Sequence, residues 1–260
     1  MNKYSLSVKK MFGQIAGTYD LLNHVLSIGF DIYWRKKMVA ETFEIANATV
    51  AQHSSRRIIL DIASGTGDVL IEVIKTASMR ACQNKTTEPF TFYICSDFSL
   101  PMLLKARQKI TAGFSNAISN NVSFVICDAQ KPCFKNSSID VITVAFGLRN
   151  FPDAGSFFSA SSKILNSTGV LSILEFRNIL KYKAAKIFRG YYNFFVTGFG
   201  KLLSGHVFAY SYLIESIMAF PEDKYICARL EKNNFIVSRY NKLLPYVVSL
   251  YIAIINKNGR

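Results

Sequence analysis

The chain is short of acid: 17 aspartates and glutamates stand against 31 lysines and arginines, giving a formal charge of +14 and a pI near 9.6. That balance suits an anionic partner, a nucleic acid or a membrane surface, and says little about fold. Histidine is scarce, with 3 residues, and the 5 cysteines (Cys82, Cys95, Cys127, Cys133, Cys227) are odd in number and scattered, with no CxxC pair. Neither a zinc site nor a disulfide framework is supported, so no metal is expected and reduced thiols fit a cytoplasmic setting. No run of about 18 apolar residues occurs, and the best candidate, Leu243 to Ile255, is too short and is broken by Pro245. The opening stretch MNKYSLSVKKMFGQ lacks an apolar core followed by a small-residue cleavage site, so export is not expected. No repeat, helix-turn-helix or RNA-binding signature is present. Nucleic-acid binding therefore rests on charge alone, and no nucleic-acid partner is expected.

What the chain does have is apolar mass. Half of its 260 residues are apolar and the mean hydropathy is +0.19, enough for a full core in one domain over 1–260. Strand-like runs alternate with helix-like ones: Arg57 to Ala63, a helix from Asp68 to Ala77, Phe90 to Asp97, a helix from Leu100 to Ile110, then Val122 to Ala129, Ile139 to Phe146 and Gly169 to Phe176. This rhythm predicts an α/β fold with a mostly parallel sheet covered on both faces. A helical segment, Val8 to Phe43, precedes it as a cap over 1–50, and the cofactor-binding core spans 56–180. An aromatic-rich helical insert (Lys181 to Met218), a helix from Asp223 and a final strand pair fill 181–260; the pair can add antiparallel strands at the sheet edge. The polar stretch Ser78 to Pro89 reads as a mobile loop.

The sequence LDIASGTGDVL places Gly65 and Gly67 between a strand and a helix, where backbone approaches a ligand closely. The dinucleotide fingerprint needs a third glycine at position 70, which is Leu70. Asp61 and Asp68 bracket the loop and would repel a pyrophosphate but attract a cation. S-adenosylmethionine carries a sulfonium and an ammonium and no phosphate, so the electrostatics point to it. The second strand ends at Asp97, suited to accept both ribose hydroxyls, though it lies further from the loop than the usual ~20 residues. The third ends in Asp128 and Ala129, an acceptor for the adenine amino group and room for its ring. One acid at a strand end is often only a helix cap; three at successive carboxyl ends on one sheet edge are harder to explain so.

At these residues a family resemblance becomes visible. Four stretches carry it: FGQIAGTYDLLNHVLSIGFDIYWR, DIASGTGD, VITVAFGLRNFPD and AYSYLIESIMAFP. With them, nearly the whole chain resembles the ubiquinone/menaquinone biosynthesis C-methyltransferases, a branch of the class I S-adenosylmethionine-dependent enzymes. The resemblance implies a Rossmann-like class I methyltransferase fold, with a mostly parallel seven-stranded sheet, an antiparallel C-terminal hairpin and a helical N-terminal cap. It implies cofactor contacts at Thr66, Asp97, Asp128 and Ala129, and places Tyr19, Arg149 and Asn150 near the substrate ring. The chain departs from the pattern at Ala145, where relatives often carry a serine that contacts the cofactor, and in C-terminal strands without the usual glycines and histidine.

The implied reaction is methylation of a ring carbon of a demethylated prenylated quinol, demethylmenaquinol ahead of the benzoquinol precursor of ubiquinone. Carbon methylation needs an electron-rich carbon, supplied once a ring hydroxyl loses its proton. Arg149 then stabilises the developing phenolate, Asn150 orients the ring oxygens and Tyr19 relays a proton. A lipid-tailed substrate gives the basic surface a home: peripheral contact with the inner face of a bacterial membrane by a cytoplasmic protein, with a homodimer left open. A methyltransferase of the same fold acting on RNA or a small metabolite, and a non-catalytic scaffold, stand as alternatives. The aromatic run Tyr191 to Phe199 reads equally as a lid over the prenyl tail or as helix core.

Overall fold

A computed structural model describes residues 13, 20, 23–24, 27–49, 56–84, 90–178 and 207–256. Its elements are α1 (Phe30–Thr49), β1 (Arg56–Ile62), α2 (Asp68–Asn84), β2 (Phe90–Asp97), α3 (Leu100–Gly113), a single turn α4 (Asn116–Ser119), β3 (Val122–Ile126) and β4 (Ile139–Ala145). A 3-10 turn (Leu148–Asn150) follows, then α5 (Ala154–Ile164), β5 (Leu165–Phe176), α6 (Val207–Ala219), α7 (Asp223–Lys232), β6 (Phe235–Leu243) and β7 (Val248–Ile255).

The strands form one seven-stranded sheet in the order β3-β2-β1-β4-β5-β7-β6. β1 to β5 pair in parallel, and β7 lies antiparallel between β5 and β6. The expected seven-stranded, mostly parallel sheet with its C-terminal hairpin is therefore present. Composition explains the arrangement. β4, IDVITVA, is buried along nearly its full length, as a central parallel strand covered on both faces must be, whereas β6 alternates exposed and half-buried positions between buried ends, as an edge strand does. Two apolar cores follow. Trp34, Met38 and Val39 of α1 pack with Leu70 and Ile74 of α2 and Leu103 of α3 on one face. Phe157 and Phe158 of α5 pack with Ile226 and Leu230 of α7 on the other.

Among the boundaries that differ from expectation, two concern residues singled out from sequence. The helix after the glycine loop runs on to Asn84 through most of the stretch read as a loop, because Met79 and Ala81 continue a helix-forming composition that polar neighbours do not stop. β3 closes at Ile126, so Asp128 and Ala129 lie past the strand rather than on it. Of the predicted N-terminal helical cap, α1 and short pieces before it are described, and of the aromatic insert only α6; Tyr191 to Phe199 lies outside the described residues.

The order of strands fixes where a ligand fits. The chain leaves β1 towards β2 on one side and returns at β4 on the other, and the crevice beyond their carboxyl ends is where open α/β sheets bind ligands.

Candidate active site

At the tip of β1 the chain turns through three left-handed residues, Ala63 (φ 52°), Gly65 (φ 55°) and Gly67 (φ 83°). A Cβ on Gly67 would stand 3.0 Å from the Cβ of Ala106, so both conformation and α3 packing demand glycine there. The loop is tied to its neighbour strand: Ser64 N donates to Ser96 O at 3.0 Å and Gly65 N to Asp97 Oδ2 at 2.9 Å. Asp97 Oδ1 accepts from Ser99 N at 2.8 Å. The buried Asp97 carboxylate is thus fixed by backbone amides that follow β1 and β2.

Asp61, one residue before the end of β1, is 1% exposed. Thr143 Oγ1 of β4 donates to its Oδ1 at 2.6 Å, while Oδ2 is buried with no hydrogen-bond partner among the described residues. Burial pushes the Asp61 carboxyl up to about 7 against the pull of Thr143, and the charges of Asp97 and Asp68 push the same way. Such an oxygen is an acceptor waiting for a donor, and a cation suits it best.

The other bracketing acid is already paired, a correction to the simple charge argument. Asp68 Oδ1 takes the Lys109 ammonium of α3 and its Oδ2 lies 3.6 Å from Arg35. Lys109 also reaches Asp20 Oδ2 at 2.8 Å, and Thr66 Oγ1 donates to Asp20 Oδ1 at 2.5 Å. Asp20, the neighbour of Tyr19, is thereby stapled onto the glycine loop. Tyr19 itself lies outside the described residues. Sequence reading passed over Lys109; its spacing from Ala106, which packs under Gly67, was the available signal, since residues three apart share a helix face. Beyond β3, Asp128 is exposed and its Oδ1 accepts from Gln130 N at 2.9 Å, while Ala129 is half-buried against the second core.

The tip of β4 is built differently. Phe146 takes a left-handed φ of 56° while its N donates to Leu174 O of β5 at 2.8 Å. Gly147 needs its small size: a Cβ there would meet Ala63 Cβ at 2.8 Å and Val144 Cγ2 at 3.2 Å. That contact seats the FGLRN turn directly on the cofactor loop. Asp153 closes the stretch by capping α5, accepting from Gly155 N and Ser156 N at 2.9 and 3.1 Å.

Arg149 and Asn150 are held from afar. Arg149 Nη1 donates to Glu175 Oε1 at 2.6 Å and its backbone N to Glu175 Oε2 at 3.1 Å. The Glu175 side chain is 0% exposed and that of Arg149 6%. Arg149 Nε is buried with no partner among the described residues, and the guanidinium lies 5.3 Å from the Phe176 ring centroid. Asn150 Nδ2 donates to Phe146 O at 3.4 Å, and its Oδ1 accepts from Tyr212 of α6 at 2.9 Å. Beside the turn stands an aromatic wall, Trp34 within 6.0 Å of Phe146 and 5.9 Å of Phe176, with Phe146 and Phe176 4.8 Å apart. Trp34 Nε1 is anchored on Leu244 O at 2.6 Å. Glu175, Tyr212 and Trp34 were not singled out from sequence.

Asp61, Gly65, Thr66, Gly67 and Asp97 thus meet at the tips of β1 and β2, Asp128 and Ala129 follow β3, and the Gly147 contact joins Arg149 and Asn150 to the first group. Comparison with known proteins places this arrangement. A family model described as the ubiE/COQ5 methyltransferase family matches residues 1–255. The chain is 34% identical over 247 residues to the demethylmenaquinone methyltransferase of Deinococcus radiodurans, covering 95% of this chain and 92% of that one. It is 29% identical to the ubiquinone/menaquinone biosynthesis C-methyltransferase UbiE of Rickettsia prowazekii, over 95% and 91%. In fold it resembles a SAM-dependent methyltransferase from Aquifex aeolicus, with a TM-score of 0.52 at 13% identity, covering 81% of this chain and 89% of that one.

Proposed function

The chain belongs to the ubiE/COQ5 methyltransferase family, and from that premise we propose that it methylates a ring carbon of demethylmenaquinol, using S-adenosylmethionine, in the biosynthesis of menaquinone. The observation that carries the cofactor is the buried Asp61 Oδ2 near the end of β1, which has no hydrogen-bond partner among the described residues. A donor set of carboxylates and backbone around a glycine turn fits a cationic ligand and offers no cradle for a pyrophosphate. Gly65, Thr66 and Gly67 line the cofactor, Asp61 faces its cationic amino acid portion, Asp97 takes the ribose hydroxyls, and Asp128 with Ala129 receives the adenine. When bound, it supplies an already activated methyl group. What remains for the protein is to place an electron-rich ring carbon in line and hold its oxygen ionised.

Arg149 and Asn150 do the holding. Glu175 already balances the charge of Arg149, so the guanidinium acts on the ring oxygen as an oriented set of donors rather than as a free cation. The aromatic wall of Trp34, Phe146 and Phe176 suits a flat ring. Tyr19 is assigned the proton relay. The sulfur–methyl bond breaks as the new carbon–carbon bond forms, leaving a neutral thioether. The ring passes through its keto form, the methylated carbon gives up its hydrogen as a proton, and the ring oxygen takes up a proton to give the free quinol.

The prenyl tail places the substrate in a membrane. No helix among the described residues is long and apolar enough to cross one, and the charge of +14 favours anionic headgroups, which supports peripheral contact at the cytoplasmic face. A homodimer formed edge to edge at β6 is opposed by Arg239 and Lys242 on that strand. The benzoquinol of ubiquinone synthesis is the second reading, favoured by the similarity to the Rickettsia protein. Methyl-labelled S-adenosylmethionine is offered with reduced demethylmenaquinone, with its oxidised form, with the benzoquinol and with RNA. Label is expected in the reduced naphthoquinol; label in RNA, or in no quinol, would refute the assignment.

A further inference from the structure

Asn150 is turned one way by its neighbours. Its Nδ2 donates to the Phe146 carbonyl at 3.4 Å, and its Oδ1 accepts the Tyr212 hydroxyl at 2.9 Å. A carbonyl can only accept, so the Phe146 contact fixes which end of the amide is nitrogen; the hydroxyl, able to do either, must then donate. Flipped, the amide would set oxygen against oxygen at Phe146. With Oδ1 turned to Tyr212 and one N–H aimed at Phe146, the side chain keeps a second N–H to donate, and the remaining lone pair of Oδ1 belongs to the end that faces Tyr212.

We propose that Tyr212 is a positioning residue for the quinol ring: by donating to Asn150 Oδ1 it holds Asn150 as a donor to the ring oxygen, so that the site selects the ionised quinol. This rests on the quinol methyltransferase reading above. A neutral ring hydroxyl can donate or accept, whereas an ionised oxygen only accepts, so a group locked as donor favours the ionised form. A hydrogen bond into the amide oxygen also polarises the amide and strengthens its remaining N–H. Tyr212 reaches the turn from α6, 62 residues along the chain, and stands half-buried. The element that carries it thereby reports to the reacting oxygen without touching it.

A double-mutant cycle tests this, with Tyr212→Phe, Asn150→Ala and both together assayed on reduced demethylmenaquinone and S-adenosylmethionine. Tyr212→Phe is expected to lower kcat about 3- to 10-fold, the loss of one hydrogen bond, with the quinol KM changed by less than about twofold. The acid limb of its kcat profile should move to higher pH, because the ionised ring oxygen is less well held, while calorimetric affinity for S-adenosylmethionine stays that of the parent. In the Asn150→Ala background the tyrosine change should cost nothing further. Additive losses, a parent-like kcat and pH profile in Tyr212→Phe, or a weakened cofactor affinity would each overturn the proposal. If the unaltered chain methylates no quinol, the parent reading falls and takes this one with it; an active chain with an additive cycle sinks the role of Tyr212 alone.

Discussion

The two halves of the site are held by different means. At the tips of β1 and β2 Asp97 is fixed by the amides of Gly65 and Ser99 and the loop by its left-handed glycines, while Asp61 and Thr66 add side-chain partners, Thr143 and Asp20, from distant parts of the chain. At the tip of β4 the polar groups are set by side chains from distant elements, Glu175 of β5 for Arg149 and Tyr212 of α6 for Asn150. Backbone donors survive every substitution but proline and hold one geometry, as a site for a cofactor of constant shape would require. Side-chain partners can change one at a time, so the half facing the acceptor is the one whose chemistry can be retuned without disturbing the other.

If that contrast is real, the largest effect should come from the substrate half. Glu175→Leu leaves the buried Arg149 guanidinium without its countercharge and should cost about 3–5 kcal/mol of stability, read by urea denaturation. Pairing it with Arg149→Met should restore much of that loss while activity stays lost. Asp97→Asn keeps the shape but sets an N–H against a backbone amide; S-adenosylmethionine affinity should fall roughly 10- to 100-fold by calorimetry, for about 1.5–3 kcal/mol. Gly147→Ala tests the contact between the halves: its Cβ would press on Ala63 and Val144, and the overpacking should cost about 1–3 kcal/mol, with both cofactor affinity and kcat reduced.

The smallest effect sharpens the role of Asp61. Its native carboxyl sits near 7 through burial, well above the ordinary ~3.9 of an unfolded chain. Between those values the native state binds more protons than the unfolded one, so the stability of the ligand-free protein should fall as pH rises from about 4 to 7 and level off above. Asp61→Asn should flatten that slope, leaving the variant about 1 kcal/mol or more the stabler at pH 8. The ligand effect has the opposite sign: cofactor binding by the parent should tighten as pH rises towards 7, and the asparagine variant should lose both affinity and pH dependence.

The same contrast decides what the sequence could reveal. The glycine loop and its acids are legible because their structure is local: a strand, a tight turn and a helix start within LDIASGTGDVL. The mostly parallel sheet follows from the βαβ rhythm, and the final strand pair already suggests the antiparallel hairpin that the family resemblance also implies. Glu175 and Tyr212 were out of reach, since no spacing rule links Arg149 to a residue 26 positions on, or Asn150 to one 62 away. Asp68 misled for the same reason: its charge looks free in sequence, and only the packing of α3 and α1 brings Lys109 and Arg35 to it.

The central claim is that the loop at β1 and the turn at β4 join to direct a methyl group to carbon rather than oxygen. Transfer from carbon-13-labelled S-adenosylmethionine to reduced demethylmenaquinone, followed by NMR of the extracted product, reads this directly. The account predicts a labelled methyl on the ring carbon of a product that air oxidises to the quinone. A labelled methoxy group on a product that resists oxidation would contradict it.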